Sequence, residues 1–575
     1  MDGNKKGLHM KRVQGYADIL GTTITNDRVN FAVSVPTGKM CKLLLYKSGE
    51  ALPATTFELS EKEGIGEVRF LALADFAYEE YEYNYQIGDA IVVDPYAKEL
   101  AGKSAFGVLE KKGIHTVRSK IGAGSYDWKG DRPLQIPYSE VIAYALHIRG
   151  FTMHTSSKVK HKGTFAGVAE KIPYFKELRI NQIQCMPIYE FVECQKNQTN
   201  YWGYGSAYYF APKASYASTG NAMCELKDMV RSCHAAGIEV VLDLPFEAGT
   251  HCFLVEMCLQ YYVTEYHIDG FILNPYNAPM QSIYQNPLLK NTKIMKKEDG
   301  FQNVMRRFLK GDEGMVHNAI WALRHNTKED GVCNYITNQT GFTLHDLVSY
   351  DSKHNELNGE HNEDGPDYNY SWNCGAEGPT RRKTVVALRK NQIKNAFFLL
   401  LIAQGTPCIL AGDEFANSQK GNNNAYCQDN EISWLNWNNL KRECELFEYV
   451  KSLIALRMSH PVLHKSDALL GLDQTACGIP DVSYHGESAW QIPSEVSSRQ
   501  LGILYCSEGM NDDDCFVAYN MHWLVHSFAL PSLTKRRKWY LIVKTNEGIL
   551  EAPRLLKNQK ELEIDARSIV MLIGK

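Results

Sequence analysis

A chain of 575 residues with 44% hydrophobic and 22% charged residues has an ordinary globular composition, with a large core and roughly two to four domains. Its formal net charge of -4 is small for that length, which argues against nucleic-acid or polybasic membrane-surface partners. The 15 cysteines are scattered without CxxC pairs, the pattern of free thiols in a reducing cytosol.

The first residues, Met1 to Gln14, carry charges but no apolar stretch of the secretory-leader kind. The strand-like runs 29–35, 41–46 and 80–87, separated by Gly, Asn and Asp, predict an antiparallel β-sandwich over residues 1–130. From about residue 139 the rhythm changes. Runs at 141–148, 182–187, 239–245, 268–273, 334–337 and 407–411 alternate with helical patterns at 166–178, 252–266 and 381–403, which argues for a parallel α/β domain over 139–460. The longest apolar run, 396–412, is split by Gln404, Gly405 and Pro407 into a helix end and a buried strand, too broken for a membrane span. Short strands return at 514–520, 538–543 and 568–572, predicting an antiparallel β domain over 461–575. The expectation is a soluble cytoplasmic protein, in which the Asn-Gln-Thr sequons are incidental. No HExxH or paired metal spacing occurs among the histidines, so neither metal nor cofactor is expected.

Periodicity leaves a closed barrel and an open sheet as alternatives; several ordered motifs decide between them. Residues 144–152 read Tyr-Ala-Leu-His-Ile-Arg-Gly-Phe-Thr, 267–274 read His-Ile-Asp-Gly-Phe-Ile-Leu-Asn, and 334–344 read Asn-Tyr-Ile-Thr-Asn-Gln-Thr-Gly-Phe-Thr-Leu. Gly412-Asp413-Glu414-Phe415 and Ala518-Tyr519-Asn520-Met521-His522-Trp523 follow, and Val93-Asp94-Pro95-Tyr96-Ala97-Lys98 precedes them. In this order they resemble the isoamylase and pullulanase branch of glycoside hydrolase family 13 over nearly the whole chain. The resemblance implies a (β/α)8 TIM-type barrel, with the N-terminal sandwich either touching glucan or packing on the next domain. Between residues 274 and 334 there is too little chain for two complete βα units, and the long cleft-wall excursion after the third strand is missing. The barrel is therefore expected to be degenerate, with a strand missing or irregular.

The resemblance also implies where carboxylates belong. A retaining glycosidase needs a nucleophile, an acid/base and negative charge beside an oxocarbenium-like centre. The matching positions carry Asn274, Lys297 and Thr340, with Gln339 in place of a neighbouring His. Strand alternation would put Ile272 and Asn274 on one face, where the family has an Arg and the nucleophilic Asp. Asp243 is retained, whereas Glu247 and Ala248 stand where an Asn and a His hold the sugar; Asp413 and Glu414 have structural parts. The expectation drawn from this is a debranching-enzyme homologue without catalysis, acting by binding α-glucan or an active paralogue, or by self-association. One alternative is an active α-glucan hydrolase with acids relocated among Asp243, Glu247, Glu298 and Asp299. Another is a structural protein without sugar affinity. Loops at 200–204, 369–375 and 421–430 persist, either binding sugar or holding the rim, and supply Trp202, Tyr204, Trp372, Asn424, Tyr426 and Asp429 as candidate glucan contacts.

Overall fold

The computed structural model describes residues 10–25, 28–75, 77–101, 103, 105–108, 117–122, 125–195 and 198–533, and again 537–575. At the N-terminus, Lys11–Val13, Val68–Ala74, Arg28–Ser34 and Gly21–Thr25 form a four-stranded antiparallel sheet in that order. It faces a second sheet built around Cys41–Lys47 and Tyr81–Ile87. Side-chain alternation explains the packing: Val29, Phe31 and Val33 meet Leu43, Leu45, Tyr83 and Tyr85 inside the sandwich, while Ala32 and Phe70 turn outward into the core shared with the barrel.

The barrel strands are Ala143–Leu146, Gln182–Cys185, Glu239–Asp243, Gly270–Ile272, Lys293–Met295 and Cys408–Leu410, all parallel, with Cys408–Leu410 beside Ala143–Leu146. The expected strand at 334–337 forms no ladder. Instead the chain crosses the gap through two isolated parallel bridges, Lys296 with Val332 and Asn334 with Pro407. Backbone bonds from Lys296 N to Gly331 O (3.0 Å), Asn334 N to Thr406 O (2.8 Å) and Cys408 N to Asn334 O (2.8 Å) complete the ring. These few bonds cover the gap between Lys293–Met295 and Cys408–Leu410 even though the strand itself is irregular.

Local chemistry accounts for the helices around it. Cys252–Tyr266 stops where His267 adopts the left-handed conformation, and Gly300–Lys310 stops at Gly311, whose N–H caps Arg307 O. Lys383–Ile402 ends before Gln404, Gly405 and Pro407, as expected. The single helix expected at 166–178 is instead two, Phe165–Ala169 and Ile172–Leu178, because Glu170 and Lys171 turn the chain ahead of Pro173.

The C-terminal sheet runs Val482–His485, Gln500–Tyr505, Asp514–Asn520, Ser568–Gly574, Trp539–Lys544 and Gly548–Leu555. Its residues alternate between two cores. Val517, Tyr519, Ile569 and Met571 join the barrel core, near Phe398 and Phe308, whereas Phe516, Ala518, Val570 and Leu572 form a separate cluster with Phe528 and Trp539. No helix among the described residues is long and apolar enough to cross a membrane.

Candidate active site

Parallel strands bring their C-terminal ends to one mouth of the barrel, where (β/α) enzymes place their chemistry. A cavity of about 60 Å³ opens there, and Asp243, Ile272, Lys297, His147, Met186 and Trp202 contribute to its lining. Asp243 is the last residue of its strand and is buried. Its Oδ2 accepts from Lys297 Nζ at 2.5 Å and from Tyr204 Oη at 2.9 Å. Gln339 Nε2 donates to Tyr204 Oη at 2.7 Å, so the amide, phenol, carboxylate and ammonium form one chain of contacts. Burial, and next the negative charge of Asp243, push the Tyr204 phenol well above its ordinary pKa. Tyr204 therefore stays a neutral donor.

An aromatic wall adjoins the carboxylate. Trp202 packs edge-on to Tyr204 and Tyr426, with ring centroids 6.2 and 6.4 Å apart. Gly203 is required between them: its φ is +86°, and a Cβ there would lie 2.5 Å from the Phe191 ring. Below them, His147 stacks on Tyr201 at 4.1 Å. Its Nδ1 accepts from Gly150 N at 3.1 Å, leaving Nε2 to donate to Tyr201 O at 2.8 Å. Burial lowers the His147 pKa to about 4, so this ring is a neutral prop at ordinary pH. Arg149 grips Asp429 through Nε at 2.8 and 3.0 Å, and Trp434 Nε1 adds a third bond at 2.9 Å.

Deeper acids hold the frame. Glu414 accepts from Tyr144, Tyr174 and Gly412 N, and burial raises its pKa. Asp413 accepts from Leu344 N at 2.9 Å and from Thr337 Oγ1, with burial pushing its pKa up to about 7. Arg306 reaches Ile336 O at 2.7 Å and Asn369 O at 3.2 Å, tying the irregular stave to its helix.

Several sequence expectations are corrected by this geometry. Asn274 does not share the lumenal face with Ile272: the strand ends at Ile272, and exposed Asn274 turns its Oδ1 onto Tyr276 N at 3.0 Å. Thr340 bonds to Asn338 rather than lining the cavity, and its neighbour Gln339 is the one that does. Glu298 is exposed and lines a different cavity, among residues of two outer helices. Glu247, by contrast, keeps its standing as a relocated-acid candidate, exposed on the loop following the Asp243 strand. Trp372 lies under the Arg567 guanidinium, 4.9 Å from its ring, at the contact with the C-terminal sheet. Asn424 gives its amide to Asp364 at 2.9 Å, and the Tyr426 hydroxyl lies within hydrogen-bond reach of Glu360 and, at 2.9 Å, of Gln198, so both help to hold the rim loop. The Asp243–Lys297 pair was missed in the sequence, where the two lie 54 positions apart.

The alpha-amylase catalytic-domain model matches residues 148–253 of this chain. Isoamylase 3 of Oryza sativa subsp. japonica is 30% identical, the match covering 80% of this chain and 71% of that protein. The chain belongs to the isoamylase/pullulanase-type branch of glycoside hydrolase family 13. The chain is also similar to a glycogen operon protein GlgX homolog of Mycobacterium tuberculosis, 28% identical over 84% of this chain and 85% of the relative. Two solved structures share the fold. A Paenibacillus barengoltzii pullulanase mutant complexed with maltotriose has a TM-score of 0.74 at 18% identity, covering 97% of this chain and 96% of that one. The catalytic module of pneumococcal SpuA has a TM-score of 0.77 at 17% identity, covering 98% of both. The expectation of a protein that is not an enzyme is overturned by this membership, since relatives matching most of the chain are named as isoamylases. Substituted residues at Asn274, Lys297 and Thr340 do not carry the conclusion of lost catalysis.

Proposed function

We propose that this chain hydrolyses α-glucan at α-1,6 branch points, with Asp243 as the cleft carboxylate. The observation that carries the reading is the placement of Asp243 in the cavity at the barrel mouth, fixed by Lys297 and Tyr204 and flanked by Trp202. The Asp243 carboxylate, whose charge is shared with Lys297, is the acid that the cavity presents, and the Trp202 face suits the apolar side of a pyranose. Glu247, on the loop after the same strand, is the second carboxyl of the pair. Its exposure at the rim suits it to deliver a proton to a leaving sugar oxygen. The names of the relatives and the maltotriose-bound pullulanase support an α-glucan as the class of substrate.

Reducing-end release from glycogen and pullulan, at high protein concentration, tests this directly. The wild-type chain releases sugar, and Asp243→Asn and Glu247→Gln each reduce the rate by about 100-fold or more, the scale of losing a positioned acid or base. Absence of release above the buffer blank, or release indifferent to both substitutions, overturns the assignment.

A further inference from the structure

The cavity at the mouth is small for the substrate proposed above. Sites for small organic ligands span about 300–1,000 Å³, whereas about 60 Å³ is open between Asp243, Trp202 and Lys297, enough for a few waters. A second void of about 20 Å³ adjoins it, and Lys297, Gln339, Ile272, Gln184 and Ala145 line both. Lys297 therefore stands in the partition between them. Its side chain is 30% exposed against 7% for that of Asp243, so the lysine is the member of the pair that solvent meets. It is also placed to move. The strand Lys293–Met295 has ended before it and the helix Gly300–Lys310 has not begun, so Lys297 lies on the connecting segment. Residues 298–300 beside it are exposed, and an outward swing carries the ammonium into water rather than into a packed surface. Asp243 does not depend on the lysine alone: Tyr204 Oη bonds to it at 2.9 Å and is itself held by Gln339 at 2.7 Å. A sugar hydroxyl can take the place of the ammonium as the second donor.

We propose that Lys297 is a displaceable latch that governs access to Asp243: its ion pair with the carboxylate closes the cleft, and glucan enters when the side chain swings outward and merges the two voids. That the entering ligand is an α-glucan rests on the function proposed above. An ion pair of 2.5 Å, partly shielded from water, holds the closed form as the major one. The affinity of such a protein for its ligand is reduced by the fraction of molecules that are open. Breaking the latch therefore raises affinity without adding any contact to the sugar.

The test is calorimetric titration of the full chain with maltotriose, with melting temperature as the fold control. Lys297→Ala should bind about tenfold more tightly than wild type, the gain expected if about one molecule in ten is open. Adding Trp202→Ala should abolish that gain, which places the binding at the mouth. The double variant Asp243→Asn/Lys297→Ala removes both charges and leaves no buried carboxylate unpaired. It should also bind more tightly than wild type, and it decides the matter if Lys297→Ala does not fold. Unchanged or weaker binding in folded variants overturns the latch, as does a gain that survives Trp202→Ala. Pullulan release is read separately. Tighter binding with no release by the wild-type chain removes the hydrolytic reading and leaves the latch standing, whereas release by the wild-type chain with no gain in the variants removes the latch alone.

Discussion

At the scale of single residues, the site is organised by opposite charges brought together from distant strands. Lys297→Met leaves Asp243 with Tyr204 as its remaining partner in a buried position. Because Lys297 is 30% exposed, the expected loss in urea denaturation is about 1–2 kcal/mol, below the value for a fully buried pair. His147 gives a pH test with a defined sign. Its folded pKa of about 4 lies below the unfolded value, so the unfolded chain binds more protons as pH falls from 6.5 toward 4, and the folded state loses stability across that window. His147→Gln keeps an acceptor for Gly150 N but cannot titrate. Relative to wild type it should gain roughly 1–2 kcal/mol between pH 6.5 and 4.5, after discounting for the ring's partial exposure; parallel denaturation curves that stay a constant distance apart would remove His147 from the linkage. Asp243 and Trp202 were legible in the sequence because each sits in a motif at a strand end or rim loop. Asn274 was misplaced because alternation was carried past the strand end, although Asn274-Pro275 is itself a turn signal.

At the scale of elements, closure depends on one irregular crossing. Gly331 holds a φ of +76° where Lys296 binds its carbonyl, and a Cβ at this position would lie 2.5 Å from Ile294 O. Gly331→Ala combines left-handed strain with a backbone collision and should lower stability by about 2 kcal/mol or more, seen as a fall in melting temperature. A variant that melts with wild type would show that the crossing tolerates displacement. Hydrophobic runs exposed five of the six laddered strands but not Lys293–Met295, and the shortage of chain between 274 and 334 signalled the defect. The form of the defect was not legible. Residues 334–337 have strand-like composition, but whether they form a ladder depends on how Lys293–Met295 and Cys408–Leu410 are spaced across the gap, which is a tertiary property. The same holds for the outer cavity: it arises from what two helices fail to fill, and no local pattern encodes it.

At the scale of the molecule, the three β and α/β parts are not equally independent. The N-terminal sandwich has its own sealed core, with Ala32, Phe70, Leu20 and Tyr96 among the residues it lends to the barrel side. The C-terminal sheet is committed more deeply. One whole face of it, including Tyr519, Met571 and Ile573, belongs to the barrel core, and Arg567 joins the two through Lys310 O at 2.5 Å, while Asn391 and Asn395 bond to its own carbonyl. Arg499 adds a bond to Gly311 O at 2.6 Å. Cooperative units follow shared burial rather than strand class, because separating two elements exposes whatever apolar surface they share. Calorimetry should therefore resolve two transitions, one for the sandwich and one in which barrel and C-terminal sheet melt together. Phe70→Ala should shift the sandwich transition relative to the other, whereas Tyr519→Ala should lower the common transition without splitting it. A separate C-terminal transition in the Tyr519→Ala protein would mean that the continuous core does not couple the two domains, and that the polar clasp around Arg567 holds them instead.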